Sequence, residues 1–243
     1  MLDSIKRWLG PGRASRRDWP AQAAWAQSNG WQLRGVRDAE GFVIDGHCGT
    51  LAWRLEWGPS QRSYIAGNEL RLRAELEVPR ELQALVLDRV LMESMERAVF
   101  DEYVEDVQTR IDTGTPAEMR WLVMHPKLSG TELKALRDDC SALGNSKPWL
   151  QQWLDGPLGP ALAQRAQARD QALVLMVARR RLSLRTALAD PAPAALQAWH
   201  ALFDCALQQA RRVNIDFAEP EAANTQPSLF PPSTLRAPAQ ASS

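Results

Sequence analysis

Chemistry in a folded chain needs two or more polar groups that converge, so histidines, cysteines and clustered carboxylates come first. The three histidines, His47, His125 and His200, lie far apart, and none falls in H-x-x-x-H or H-E-x-x-H spacing. His47-Cys48, set between Gly46 and Gly49, is the most site-like pair. As zinc ligands the two would need Cys140, Cys205 or His125 brought in by the fold. Structural zinc normally shows paired local spacings, and these are absent, so the pair reads as a turn holding two polarisable residues. The run Asp101-Glu102-Tyr103-Val104-Glu105-Asp106 sets Asp101 beside Glu105 and Glu102 beside Asp106 on a helix. Such carboxylates suit a divalent cation or acid–base work, but no E-x-x-H pattern accompanies them, and a solvated helix face accounts for them. The chain has no G-x-S-x-G, P-loop or G-x-G-x-x-G pattern. The glycines of Gly156-Pro157-Leu158-Gly159-Pro160 alternate with prolines, which cannot donate N–H groups to phosphate. No catalytic, cofactor or metal residues are assigned. An enzyme would have to assemble its site from distant residues, with His47, Cys48 and the acidic run as candidates.

The elements that would position such groups are mixed. Trp19 to Ser28 reads as a helix, capped by Asp18, with Pro20 in its first turn and Gly30 as its stop. Leu51, Trp53, Leu55 and Trp57 alternate with polar residues, and so do Leu70, Leu72, Ala74, Leu76 and Val78. That period of two predicts an antiparallel hairpin over about 49–78 with one buried face. Phe42 to Ile44 adds a short strand, and Leu82 to Leu87 fits either a strand or a helix start. From Arg89 to Gln108 the apolar spacing becomes helical. Thr115-Pro116-Ala117-Glu118 and Ser129-Gly130-Thr131-Glu132 are capping-box patterns, which predict helices through Met124 and over Leu133 to Leu143. Pro148 to Leu154 and Leu158 to Ala168 read as short helices. A second hairpin is expected over about 171–187, with the RRR of 179–181 as its solvated turn, then a helix over Ala194 to Arg212. The fold class is therefore α+β: antiparallel hairpins with helices packed on the sheet. LRLRAELEVPRELQAL (70–85) echoes LSLRTALADPAPAALQAW (182–199), which is compatible with an internal duplication of two similar halves.

The 29 basic and 29 acidic residues cancel, so no global field draws the chain to nucleic acid or membrane. Three widely spaced cysteines argue against a disulfide framework and for a reducing compartment, each as a small buried apolar residue. The longest apolar run, Ala172 to Ala178, falls short of the roughly 20 residues that cross a bilayer. A cytoplasmic protein of bacterial type is expected. The ten tryptophans, with Trp53, Trp57, Trp121, Trp149, Trp153 and Trp199 on apolar stripes, read as core.

These patterns divide the chain into three segments: an arm over 1–17, a globular domain over 18–213, and a proline-rich tail over 214–243 that reads as disordered. The arm places Leu2, Ile5, Trp8 and Leu9 on one helical face and carries Lys6, Arg7, Arg13, Arg16 and Arg17, so peripheral attachment to an anionic membrane is one reading of it. The tail holds Gln226-Pro227-Ser228-Leu229-Phe230. This resembles the pentapeptide, glutamine–leucine–serine/aspartate–leucine–phenylalanine, by which bacterial proteins bind the DNA polymerase sliding clamp. Gln226, Ser228, Leu229 and Phe230 match, and Pro227 stands where leucine is usual. The resemblance implies a protein partner met through an extended peptide. The leading expectation is a non-catalytic interaction protein, with no cofactor and no direct contact to nucleic acid.

Overall fold

The structure is a computed structural model that describes residues 19–36, 40–105, 115–165 and 172–218. The arm, with Leu2, Ile5, Trp8 and Leu9, lies outside the described residues. So do Asp18, Asp106 and the tail from 219 onward, with Gln226, Ser228, Leu229 and Phe230.

Eight strands form one antiparallel sheet: β1 (Gln32–Gly35), β2 (Phe42–Cys48), β3 (Leu51–Pro59), β4 (Asn68–Glu75), β5 (Ala84–Asp88), β6 (Cys140–Gly144), β7 (Leu173–Ala178) and β8 (Arg181–Ala187). Their order is β1-β2-β3-β4-β8-β7-β5-β6. The described helices are α1 (Pro20–Ser28), α2 (Arg89–Glu105), α3 (Ala117–Met124), α4 (Gly130–Leu133), α5 (Lys147–Asp155), α6 (Leu158–Arg165) and α7 (Pro193–Ala218). The α+β class read from the sequence is the class observed, and both expected hairpins form.

The sheet's two faces are covered unequally, and the strand sequences show why. One face carries the main core, from Phe42, Ile44, Trp53, Leu55 and Trp57 through Leu70, Leu72, Leu182, Leu184, Leu175 and Val86. Helices close it with stripes at helical spacing: Trp149, Leu150, Trp153 and Leu154 on α5, and Leu196, Trp199, Phe203, Ala206, Leu207, Ala210 and Val213 on α7. Two buried indoles find carbonyls there. Trp153 Nε1 donates to Ala206 at 2.9 Å and Trp57 Nε1 to Leu188 at 2.8 Å. On the other face, α2 and α3 cover only the end of the sheet, where Leu85, Leu87, Leu143 and Val174 meet Met92, Met95, Trp121 and Leu122. β5 and β6 are therefore buried on both sides and show no alternation, whereas β3, β4 and β8 alternate.

This explains the one element of wrong type. The sequence pattern predicts a helix over 133–143, but the Ser129–Glu132 capping box starts only the four residues of α4, and Cys140–Gly144 is strand β6. A short apolar run buried on both faces has no period to separate strand from helix. Gly144 acts as a close-packing position rather than a helix stop, since a Cβ there would lie 2.5 Å from the Gln83 carbonyl. β1 has no counterpart among the sequence expectations, and α7 runs six residues beyond the expected end at Arg212. The two echoed runs become β4 and β8, which lie side by side. Their successors differ: strand β5 comes after one and helix α7 after the other.

The two-residue hairpin turns contrast. Gly49, at φ +59°, starts the β2–β3 turn, where glycine has no steric penalty. The β7–β8 turn sets Arg179 and Arg180 at φ +51° and +62° between the paired residues Ala178 and Arg181. Both central residues with positive φ define a type I′ turn, which favours Asn-Gly and costs an L side chain about 1–2 kcal/mol per residue. Replacing the pair as R179N/R180G should therefore stabilise the fold by about 1–2 kcal/mol, read from urea unfolding.

Candidate functional site: the uncovered face of the sheet

Among the described residues no helix covers the second face of β1–β4 and β8. The register writes that face as two ladders. One runs Gln32, Asp45, Arg54, Arg73 and Ser183, and the next runs Arg34, Val43, Glu56, Arg71 and Arg185. Glu69, Glu75 and Arg181 stand beyond them on β4 and β8. Alternation places all of these opposite the core, so their charges are a direct consequence of period two.

Every carboxylate here holds a guanidinium. Asp45 takes Arg34 and, at 2.6 Å, Arg54. Glu56 takes Arg73 at 2.9 Å and Arg71 at 3.3 Å. Glu75 takes Arg181 at 2.6 Å. Glu69, 0% exposed, takes Arg185 at 2.6 Å, Arg71 at 3.2 Å and the backbone N–H of Gln61 at 2.9 Å. Arg71 and Arg185 are direct cross-strand neighbours, a repulsive arrangement that the carboxylate between them offsets. Partial burial works to raise the Asp45 pKa, but hydrogen bonds from Arg54 and Arg34 outweigh it and hold the carboxyl below its ordinary value.

The β3–β4 loop joins this lattice to α3. Arg62 Nε and the Tyr64 hydroxyl both donate to Glu118 Oε1, each at 2.5 Å. Glu118 is fully buried, and its Oε2 has no partner among the described residues. Burial pushes its pKa up, but the bonds from Arg62 and Tyr64 prevail and the carboxyl stays ionised below its usual range. Burial, with the Glu118 charge beside it, raises the Tyr64 phenol well above its ordinary value. By sequence, Glu118 reads as the closing residue of a capping box with Thr115. The structure corrects this: Pro116 is the N-cap, no side chain caps it, and the carboxylate turns inward to Arg62.

The residues singled out for chemistry are scattered. His47 and Cys48 are the last two residues of β2 rather than a turn, and alternation sends them to opposite faces. His47 is exposed. The Cys48 thiol lies 2.8 Å from Gln208 Nε2, and a hydrogen bond to Asp204 raises its pKa. Cys48 and Cys205 are half-buried, and only Cys140 is a core residue, its thiol pushed up to about 12 by burial. His125 Nε2 lies 2.6 Å from Gln83 Oε1. His200 is wedged between Trp31 and Trp53, with ring centroids 4.7 and 4.5 Å away, and burial lowers its pKa. Asp101, Glu102 and Glu105 fall within α2. Among the described residues no three His, Cys, Asp or Glu side chains gather as a metal ion requires. A shallow hollow of about 170 Å³ on the uncovered face is lined by Asp45, Trp53, Arg54, Arg73, Glu75 and Arg181. Its charges are paired with one another, an arrangement suited to complementary polar contacts. Sequence reading passes over Glu69, Arg62 and Tyr64, and sees Glu118 only as part of a cap. The outward Arg/Glu alternation on β4 is the available signal, since a solvated face has no need of arginine at Arg54, Arg71, Arg73, Arg181 and Arg185 alike.

The Glu118 pair makes a signed prediction. Its folded pKa lies below the ordinary 4.5, so its contribution is complete above that pH and is lost as pH falls through the folded value. Glu118→Gln should cost about 3 kcal/mol at neutral pH, and the gap to wild type should narrow steadily below pH 4.5 in urea titrations.

No protein-family model matches this chain, and no curated protein does. Among solved structures it is similar to the mycobacterial trehalose monomycolate transport factor A, TtfA, at 10% identity, over 79% of this chain and 93% of that one, with a TM-score of 0.46.

Proposed function

We propose that this is a non-catalytic interaction protein that receives a protein partner on the uncovered face of its sheet. The observation that carries the reading is the lattice on that face, where arginines are held in register by carboxylates over five adjacent strands. Arginine is enriched at protein interfaces because its planar fork forms directed bonds and loses little hydration on burial. Pairing within the face holds those forks in place before a partner arrives, which lowers the ordering cost of association. Arg54, Arg73 and Arg181 keep 40, 45 and 51% of their side-chain surface exposed, so they are open to further bonds. An R54A/R73A variant should keep its melting temperature within a few degrees and lose a protein that co-purifies with the wild type. An unchanged set of co-purifying proteins would sink this reading.

A second contact is supported by the Gln226–Phe230 peptide. Trp19, where the N-terminal segment enters the fold, packs on Phe42 and Trp57 at 5.2 and 5.1 Å. Asn214, near the end of α7, donates to the Glu77 carbonyl beyond the opposite end of β4. Trp19 and Asn214 thus lie toward opposite ends of the sheet. The partner proposed for the tail is the bacterial sliding clamp. A peptide covering 222–234 should bind purified clamp in a polarisation assay, and L229A/F230A should abolish it. Failure of the wild-type peptide to bind rules out the clamp and leaves the sheet-face reading untouched.

A further inference from the structure

The Arg179–Arg180 turn breaks a local rule, and among the described residues neither side chain has a hydrogen-bond or ionic partner that offsets it. Asn-Gly would adopt the same backbone without strain. Both side chains are exposed, and neither guanidinium has an ionic partner among the described residues. Strain kept where no partner among the described residues rewards the two side chains points outward, to something they meet.

Their surroundings say what that is. The Arg180 carbonyl accepts from Leu76 N–H at 2.8 Å, and the next residue, Glu77, accepts from the Asn214 side chain. The turn therefore sits one short segment away from the last turns of α7. There Arg211 and Arg212 are exposed, as are Ile215 (61%) and Phe217 (39%). Phe217 also borders an apolar hollow of about 200 Å³ shared with Pro79, Leu82 and Trp149. Glu77, Asp216 and Asp204, which shares the Cys48 thiol with Arg211, are the acidic residues set against these four arginines; Glu75 is taken by Arg181, and Arg80 stands beside Glu81 in the chain. One end of the sheet thus combines a cationic excess with bare aliphatic and aromatic side chains.

We propose that this end of the sheet, built on Arg179, Arg180, Arg211, Arg212, Ile215 and Phe217, docks on an anionic lipid surface. Arginines meet phosphate headgroups, while Ile215, on the Arg211–Arg212 side of α7, enters the boundary between headgroup and acyl chain, and Phe217, on the other side of the helix, borders the hollow against Pro79, Leu82 and Trp149. A nucleic acid would use the arginines and leave Ile215 without a role. This contact is independent of the sheet-face reading, since none of its residues lies in the two ladders. It is also distinct from an attachment through residues 1–17, none of which it uses.

The test uses the full chain and sedimentation with vesicles of phosphatidylcholine alone or mixed equally with phosphatidylglycerol. Wild type should bind the mixed vesicles, release them at high salt, and ignore neutral ones. R179N/R180G should melt at a higher temperature and yet bind about tenfold more weakly or worse, since each arginine near such a surface counts separately. I215S/F217S should weaken binding without changing its salt dependence. A more stable R179N/R180G that binds as wild type does would mean that the turn is structural only, and the proposal fails. It fails equally if wild type ignores the mixed vesicles, or if it binds single-stranded DNA in preference to them.

Discussion

The pairing of β4 with β8 is the contact on which the rest of the molecule depends. Without it the sheet falls into two four-stranded pieces, β1 to β4 and β8-β7-β5-β6. The residues it joins are far apart in the chain, with Glu75 and Arg181 separated by 106 positions. Closing so long a loop costs entropy before any contact is gained. Both sides of the junction contribute to offsetting it. On the core side, Leu72 faces Leu184 and Ala74 faces Leu182. On the open side, Glu69 and Glu75 of β4 each hold an arginine of β8.

That open side exists because the described helices suffice for one face and part of the other. Where α2 and α3 reach, the strands are apolar on both sides; where they do not, outward positions carry charge. A bare antiparallel face must be wetted, and lysine or threonine would do that adequately. The chain instead uses arginine–carboxylate ladders with a fully buried carboxylate, Glu69, between two like-charged neighbours. A buried charge is costly unless paired and hydrogen-bonded, and Glu69 meets both conditions. The result is a surface whose side chains are ordered before anything binds. Glu118, Arg62 and Tyr64 extend the same logic into the β3–β4 loop and pin it to α3.

The two ends of the sheet differ in kind. The end near Phe42 and Trp57 is closed by Trp19 and Leu188. The end near Arg180 and Asn214 has strained backbone, arginines with no ionic partner among the described residues, and exposed Ile215 and Phe217. Local preferences agree with the fold almost everywhere else, from Gly49 in its turn to the Ser129–Glu132 capping box. The non-glycine residues at positive φ are Lys134, where α4 ends, and the Arg179–Arg180 pair, and the pair is informative because both of its residues depart together.

The sequence by itself determined the fold class, the one-sided strands β3, β4 and β8, and the helices α1, α5, α6 and most of α7. These are legible because a single buried face leaves a period of two or 3.6, which no distant residue can alter. It did not determine β6, because burial on both faces erases that period and the second cover comes from helices elsewhere in the chain. Nor did it determine where Glu118 points: its spacing from Thr115 fits a cap, and only the arrival of Arg62 from the β3–β4 loop decides otherwise. His47 and Cys48 look like a pair because they are adjacent, and strand geometry separates them. The ladders of Arg54, Arg71, Arg73 and Arg185 with Glu56 and Glu69 are visible as alternation, but their pairing depends on register. Register joins residues from opposite ends of the chain, so only the assembled sheet could reveal which charges meet.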